Sequence, residues 1–148
     1  MAGYDHVLLA TDCADGNNKA GEHAVALAGR LNAKLSFLRV LEHLPQDIPV
    51  EPVPPEGVDK VKWFSDRALR ELQQYAEQLG LPASVANIVV TTDSPEDEII
   101  RYVTNHDIDL VVVCAHERHG MALFQRRTAD NLVHNAPCDV LVVHTQNG

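Results

Sequence analysis

The stretch from Asp109 to Val143, DLVVVCAHERHGMALFQRRTADNLVHNAPCDVLVV, reads as a buried strand, a loop, a short helix and a second buried strand. In an open α/β sheet, a loop at the carboxyl end of a strand is where ligands sit. Such loops cradle phosphate with glycine, because the backbone must approach the anion closely and adopt positive φ. This one keeps a single glycine, Gly120, among His116, Glu117, Arg118, His119, Arg126 and Arg127. It has the position of a phosphate cradle without most of its chemistry.

Working outward, the N-terminal YDHVLLATD holds a short apolar run that suits a buried strand. After a turn rich in Gly and Asn, Ala20, Ala24, Leu27, Ala28 and Leu31 recur at helical spacing, predicting a helix that ends near Asn32. KLSFLRVLEH is a second buried strand. Five prolines between Pro45 and Gly57 forbid regular structure there. From Val58 to Leu79 a long helix is predicted, with Val61, Phe64, Ala68, Leu72, Tyr75, Ala76 and Leu79 on its buried stripe. Gly80 and Pro82 mark its end.

SVANIVVT is the third strand. Ser94-Pro95-Glu96-Asp97 then opens a helix, with Ser94 as N-cap, Pro95 in the first position and acids in the first turn. That helix runs to about His106 and buries Ile99, Ile100 and Val103. DLVVVCA and DVLVVHT are strands four and five, joined by a short helix around Thr128 to Asn135. The order β-α-β-α-β-α-β-α-β, with each strand a short aliphatic run, predicts a five-stranded, doubly wound parallel sheet covered on both faces.

The chain's 148 residues suit one domain spanning 1–148. Aromatic residues make up only 5%, so the core must be aliphatic. A formal net charge of −9 argues against nucleic acid and anionic membrane as partners. No apolar run is long enough to span a bilayer. Three cysteines, none in a C-x-x-C pair and with no signal-peptide pattern, point to reduced thiols in the cytoplasm.

Across nearly its whole length the chain resembles the universal stress protein family. HVLLATD is similar to the family's first strand, which ends in an apolar-x-Asp element. NAKLSFLRVLE resembles the next unit. The most specific match is D-L-V-V-V before the loop, followed by N-L-V-H-N-A-P-C-D-V-L-V-V, with Ala136-Pro137-Cys138 entering the last strand. The resemblance implies the adenine nucleotide alpha hydrolase-like, Rossmann-like fold.

Family members that bind ATP carry G-x-x-G, eight or nine residues, then G-[ST], between strand four and the next helix. In this register the leading glycines fall at Cys114 and Glu117, and Gly120 matches a further loop glycine. The closing pair falls at Arg126-Arg127, or at Arg127-Thr128 if shifted by one. Both leading glycines are lost. A glutamate facing a triphosphate repels it, and arginine adds bulk where backbone N–H groups would meet phosphate. Asp12, similar to the family's adenine-side acid, is retained with Ala10 and Thr11.

The resemblance therefore implies a nucleotide site drawn from Ala10, Thr11, Asp12, Val40, Leu41, Cys114, His116, Glu117, Gly120, Arg126, Arg127 and Thr128, intact on the nucleoside side only. It also implies a homodimer through strand five, where Val140, Leu141, Val142 and Val143 are apolar on both parities.

Other chemistry finds less support. Arg118, His119, Arg126 and Arg127 suit an anion site of guanidinium forks. They equally suit a solvated loop paired with Glu117 and Asp130, the reading preferred here. His116 and His119 beside Cys114 lack the further ligands a structural zinc needs, so no metal is expected. A redox role for Cys13 and Cys114 would require an exposed, low-pKa thiolate. Response-regulator receivers need a lysine after strand five, where His144-Thr145-Gln146 stands. Neither a G-x-S-x-G elbow nor a G-x-G-x-x-G fingerprint is present.

The expectation is a non-catalytic cytoplasmic stress protein with a degenerate nucleotide loop, acting through an unidentified protein partner and needing no cofactor. Its rival is an ATP- or AMP-binding module with at most slow ATPase activity.

Overall fold

The computed structural model describes residues 3–11, 19–42, 54–115 and 122–144. Five strands, β1 (His6–Ala10), β2 (Lys34–Glu42), β3 (Ala86–Thr91), β4 (Leu110–Ala115) and β5 (Asp139–His144), form one sheet in the order β3-β2-β1-β4-β5. Every pairing is parallel. Four helices, α1 (Lys19–Leu31), α2 (Lys60–Gln78), α3 (Pro95–Asn105) and α4 (Ala122–Asn135), make the crossovers.

Both sheet faces are buried, which is why the strands lack alternating polarity. Successive side chains point to opposite faces, so Val7 and Leu9 join a core with Ala24, Phe37, Leu72 and Ala76 beneath α1 and α2. Leu8, between them, joins Leu38, Ile99, Val103, Val111 and Leu132 beneath α3 and α4. Leu8, Leu9, Phe37, Leu72 and Leu132 are fully buried, each contributing roughly 1.5–3 kcal/mol.

Helix ends follow their sequence signals. Asn32 closes α1 at φ 54°, and Ala33 N–H donates to the Ala28 carbonyl at 2.9 Å. Gly80 does the same for α2 at φ 82°, with Leu81 N–H on the Ala76 carbonyl at 3.0 Å. Ser94 caps α3, its hydroxyl accepting from Asp97 N–H at 3.2 Å, and Pro95 occupies the first position.

Three boundaries and one buried position differ from the sequence reading. α2 starts at Lys60, capped by the Asp59 carboxylate on Lys62 N–H at 3.2 Å, rather than at Val58. Val61, expected on the buried stripe, is 49% exposed, because that stripe becomes fully buried only at Ala68, Leu72 and Ala76. The residues before β3 form a 3-10 turn over Ala83–Val85, so the strand starts at Ala86 and not at Ser84. α4 begins at Ala122, six residues before the expected Thr128.

α1 and α2 meet closely at Gly21. A Cβ there would lie 2.2 Å from the Tyr75 hydroxyl oxygen and 2.8 Å from Leu79 Cδ1. Only glycine admits the Tyr75 ring, which packs against Phe37 with centroids 5.7 Å apart. Most of the proline-rich segment, residues 45–53, lies outside the described residues.

Candidate functional site

The strand order reverses at β1: the chain moves from β1 to β2 on one side and returns through β3 to β4 on the other. The crevice beyond the carboxyl ends of β1 and β4 is therefore the topological switch point. Ala10, the last residue of β1, pairs with Leu38 on one side and Val113 on the other. Thr11 extends that strand, its N–H donating to the Leu38 carbonyl at 3.0 Å.

Val40 and Leu41 lie near the end of β2, paired with Val89 and Val90. Cys114 lies near the end of β4, paired with Val143. Ala10, Thr11, Val40, Leu41 and Cys114 are all half-buried. The structure thus gathers at one edge of the sheet these five of the residues read from the sequence. Asp12, His116, Glu117 and Gly120 lie outside the described residues, as do Cys13, Arg118 and His119.

The backbone of α4 revises the reading of Arg126, Arg127 and Thr128. They were expected in the loop or at the helix start, yet they lie inside a helix that begins at Ala122. Only the first four N–H groups of a helix lack intrahelical partners. From Arg126 onward the amides bond to carbonyls four residues earlier and are not free for phosphate. The helix dipole acts chiefly on charges within the first turn, and Arg126 and Arg127 lie beyond it. α4 carries no acid in that turn.

Sequence reasoning missed two buried acids at the start of α3. Glu96 is 5% exposed and Glu98 is 7% exposed. The acids were read only as helix-start signals. Glu98 sits against the Arg101 guanidinium, which is also 3.7 Å from Asp93. A sequence cannot separate a dipole-complementing surface acid from a buried one at the same position. Among the described residues no group of three or more His, Cys, Asp or Glu side chains is arranged to hold a metal.

Cys138, expected as a small core residue, is half-buried against the α3–α4 side of the core. Burial, and then the Asp139 charge, push its thiol above the ordinary cysteine value. That is the opposite of what a reactive thiolate needs.

The universal stress protein family model matches residues 3–144. The chain belongs to the universal stress protein family. Universal stress protein A homolog 1 of Coxiella burnetii is 26% identical over 140 residues, covering 95% of this chain and 96% of the relative. Universal stress protein UspA from Lactobacillus plantarum superposes with a TM-score of 0.68 at 23% identity, covering 97% of this chain and 99% of that one. A universal stress protein solved in complex with cAMP gives a TM-score of 0.63 at 23% identity, over 98% and 100% of the two chains. The fold is the adenine nucleotide alpha hydrolase-like one that the family shares. Among the described residues of this universal stress protein, no helix is long and apolar enough to cross a membrane.

Proposed function

We propose that this universal stress protein is non-catalytic, cytoplasmic and acts through protein contacts, with a nucleotide loop that no longer holds a triphosphate. The observation carrying this reading is the start of α4 at Ala122. It withdraws the amides of Arg126, Arg127 and Thr128 from the loop, where ATP-binding relatives would present a Gly-Ser pair to phosphate. The glutamate at position 117 adds a charge of the wrong sign.

A second reading, an adenine-nucleotide ligand, is supported by the structural neighbour solved with cAMP. The side of the crevice built from Ala10, Thr11, Val40 and Leu41 keeps small and apolar residues suited to a nucleoside. If this reading holds, the chain takes a nucleotide bearing one phosphate in preference to one bearing three. Isothermal titration with AMP, cAMP and magnesium-ATP separates the two: the first reading predicts no heat from ATP at millimolar concentration. ATP binding more tightly than AMP would overturn both.

Topology supports β5 as the partner surface. β5 is an edge strand, and Val140, Leu141 and Val142 are only half-buried in the protomer. An apolar edge left open is a pairing liability. A homodimer formed through β5 covers it.

A further inference from the structure

β5 carries its free hydrogen-bonding groups on alternate residues. Asp139 N–H donates to the carbonyl of Asp109, just before β4, at 3.3 Å. Main-chain groups of successive strand residues point to opposite sides. Asp139, Leu141 and Val143 therefore bond towards β4, while Val140 and Val142 turn N–H and C=O to the open edge. The side chains of Val140 and Val142 lie on the face of the sheet that α3 and α4 cover, beside Leu132. Both are only half-buried.

Above them, α4 leaves one apolar flank bare. It packs against α3, β4 and β5. Leu132 is fully buried, yet Val133, the next residue, is 55% exposed, the most exposed large hydrophobic side chain among the described residues. One residue turns a helix by about 100°. In a right-handed crossover from β4 to β5, a right-handed helix makes that turn away from α3 and towards the open edge. Val133 thus overhangs the edge that Val140 and Val142 line.

We propose that a second copy of this chain docks on two layers at once: its β5 extends the sheet, and its α4 packs against α4 through Val133. This rests on the β5 homodimer reading and adds the helix layer to it. A two-fold axis normal to the sheet pairs the strands antiparallel and keeps both α4 helices on one face. Paired strands lie about 4.8 Å apart. Helices seated over the β4–β5 gap of each copy then stand roughly 10 Å apart, the spacing at which helices pack.

The occupant is a second copy because the patch matches itself. Across the two-fold each free N–H meets a free C=O, and valine meets valine. Residues 140–143 and Val133 carry no charge, in a chain whose net charge of −9 sets copies against one another elsewhere. Strand pairing alone leaves Val133 in water; the second α4 covers it.

The test combines sedimentation equilibrium on the full chain with exchange of the β5 amides followed by NMR. The native chain should be dimeric at micromolar concentration, with the amides of Val140 to Val143 all protected. Val133→Asp should weaken the dimer about tenfold or more, as loss of a buried anchor does. In the monomer it leaves, Val140 and Val142 should exchange freely while Leu141 and Val143 stay protected, which also shows that the variant is folded. Val133→Leu should remain dimeric. A native dimer that Val133→Asp leaves equally tight would overturn the helix layer and spare the pairing through β5. A monomeric native chain, or a dimer whose Val140 and Val142 amides exchange freely, would overturn both.

Discussion

The Asp109 carboxylate accepts the backbone N–H of His6 at 2.9 Å and, with the same oxygen, that of Asp5 at 2.7 Å. One side chain just before β4 thus fixes where β1 starts, across more than a hundred residues of sequence. Asp109 N–H in turn donates to the His6 carbonyl at 2.9 Å, and the Asp109 carbonyl accepts from Asp139 at 3.3 Å. Tyr4 extends the tie to the other neighbour of β4, its hydroxyl donating to the Asp139 carboxylate at 2.5 Å.

Asp109→Ala removes a charged acceptor shared by two backbone donors. Charge-assisted hydrogen bonds contribute about 1.5–3 kcal/mol, and here the site is partly solvated. Urea denaturation should show a loss of roughly 2 kcal/mol at an unchanged slope. Asp109→Asn should recover part of it through its amide oxygen. Equal stability of Asp109→Ala and the native chain would show that water replaces the carboxylate without cost.

Gly21→Ala sets two effects against each other. Alanine gains roughly 1 kcal/mol over glycine inside a helix, but its Cβ collides with the Tyr75 ring, which Phe37 backs. Overpacking typically costs about 1–3 kcal/mol. A net loss of about 1 kcal/mol is expected in thermal denaturation. Stabilisation would mean that Tyr75 and Leu79 yield freely.

Much of this architecture was legible before any coordinates. Apolar runs bounded by turn residues located all five strands, and Ser94-Pro95 and Gly80 marked helix ends because caps use specific side chains or positive φ. The start of α4 was not legible. Ala122-Leu123-Phe124-Gln125 has no acid in its first turn, and the family's glycine register drew the loop onward to Thr128. Burial of Glu96 and Glu98 was hidden for another reason: acids in a first turn satisfy the dipole whether or not they face solvent. The hydrogen bonds of His6 to Ser36 and to the His106 carbonyl join residues 30 and 100 positions away, a separation that local pattern does not carry.

Val142→Asp tests the edge of the sheet. Val142 pairs with Val113 of β4 and packs against the core on the α3 side only in part. Light scattering at micromolar concentration should give a dimer mass for the native chain and a monomer mass for the variant. Val142→Thr, nearly isosteric, should remain dimeric. A monomeric native chain would refute pairing through β5.

Cys138 should be slow to alkylate. Burial and the Asp139 charge raise its thiol value, so less thiolate is present at neutral pH than on an exposed cysteine. Mass spectrometry after brief iodoacetamide treatment of the folded protein at pH 7.5 should find Cys138 modified more slowly than a model thiol peptide. Faster modification would revive a redox role for this position.

Glu117→Gly combined with Arg127→Ser rebuilds part of the pattern that ATP-binding relatives carry. Removing the carboxylate removes like-charge repulsion of phosphate. Titration calorimetry with magnesium-ATP should register a gain in affinity over the native chain, larger for the pair than for Arg127→Ser alone. If Glu117→Gly contributes nothing, its carboxylate does not face phosphate.

Loss of triphosphate binding is tested most directly by thermal unfolding of the native protein with and without millimolar magnesium-ATP. A ligand at a hundred times its dissociation constant adds about 2.7 kcal/mol of stability, which moves the midpoint of a chain this size by several degrees. The account predicts superimposable unfolding curves. A midpoint that rises with ATP concentration along the binding relation would contradict it.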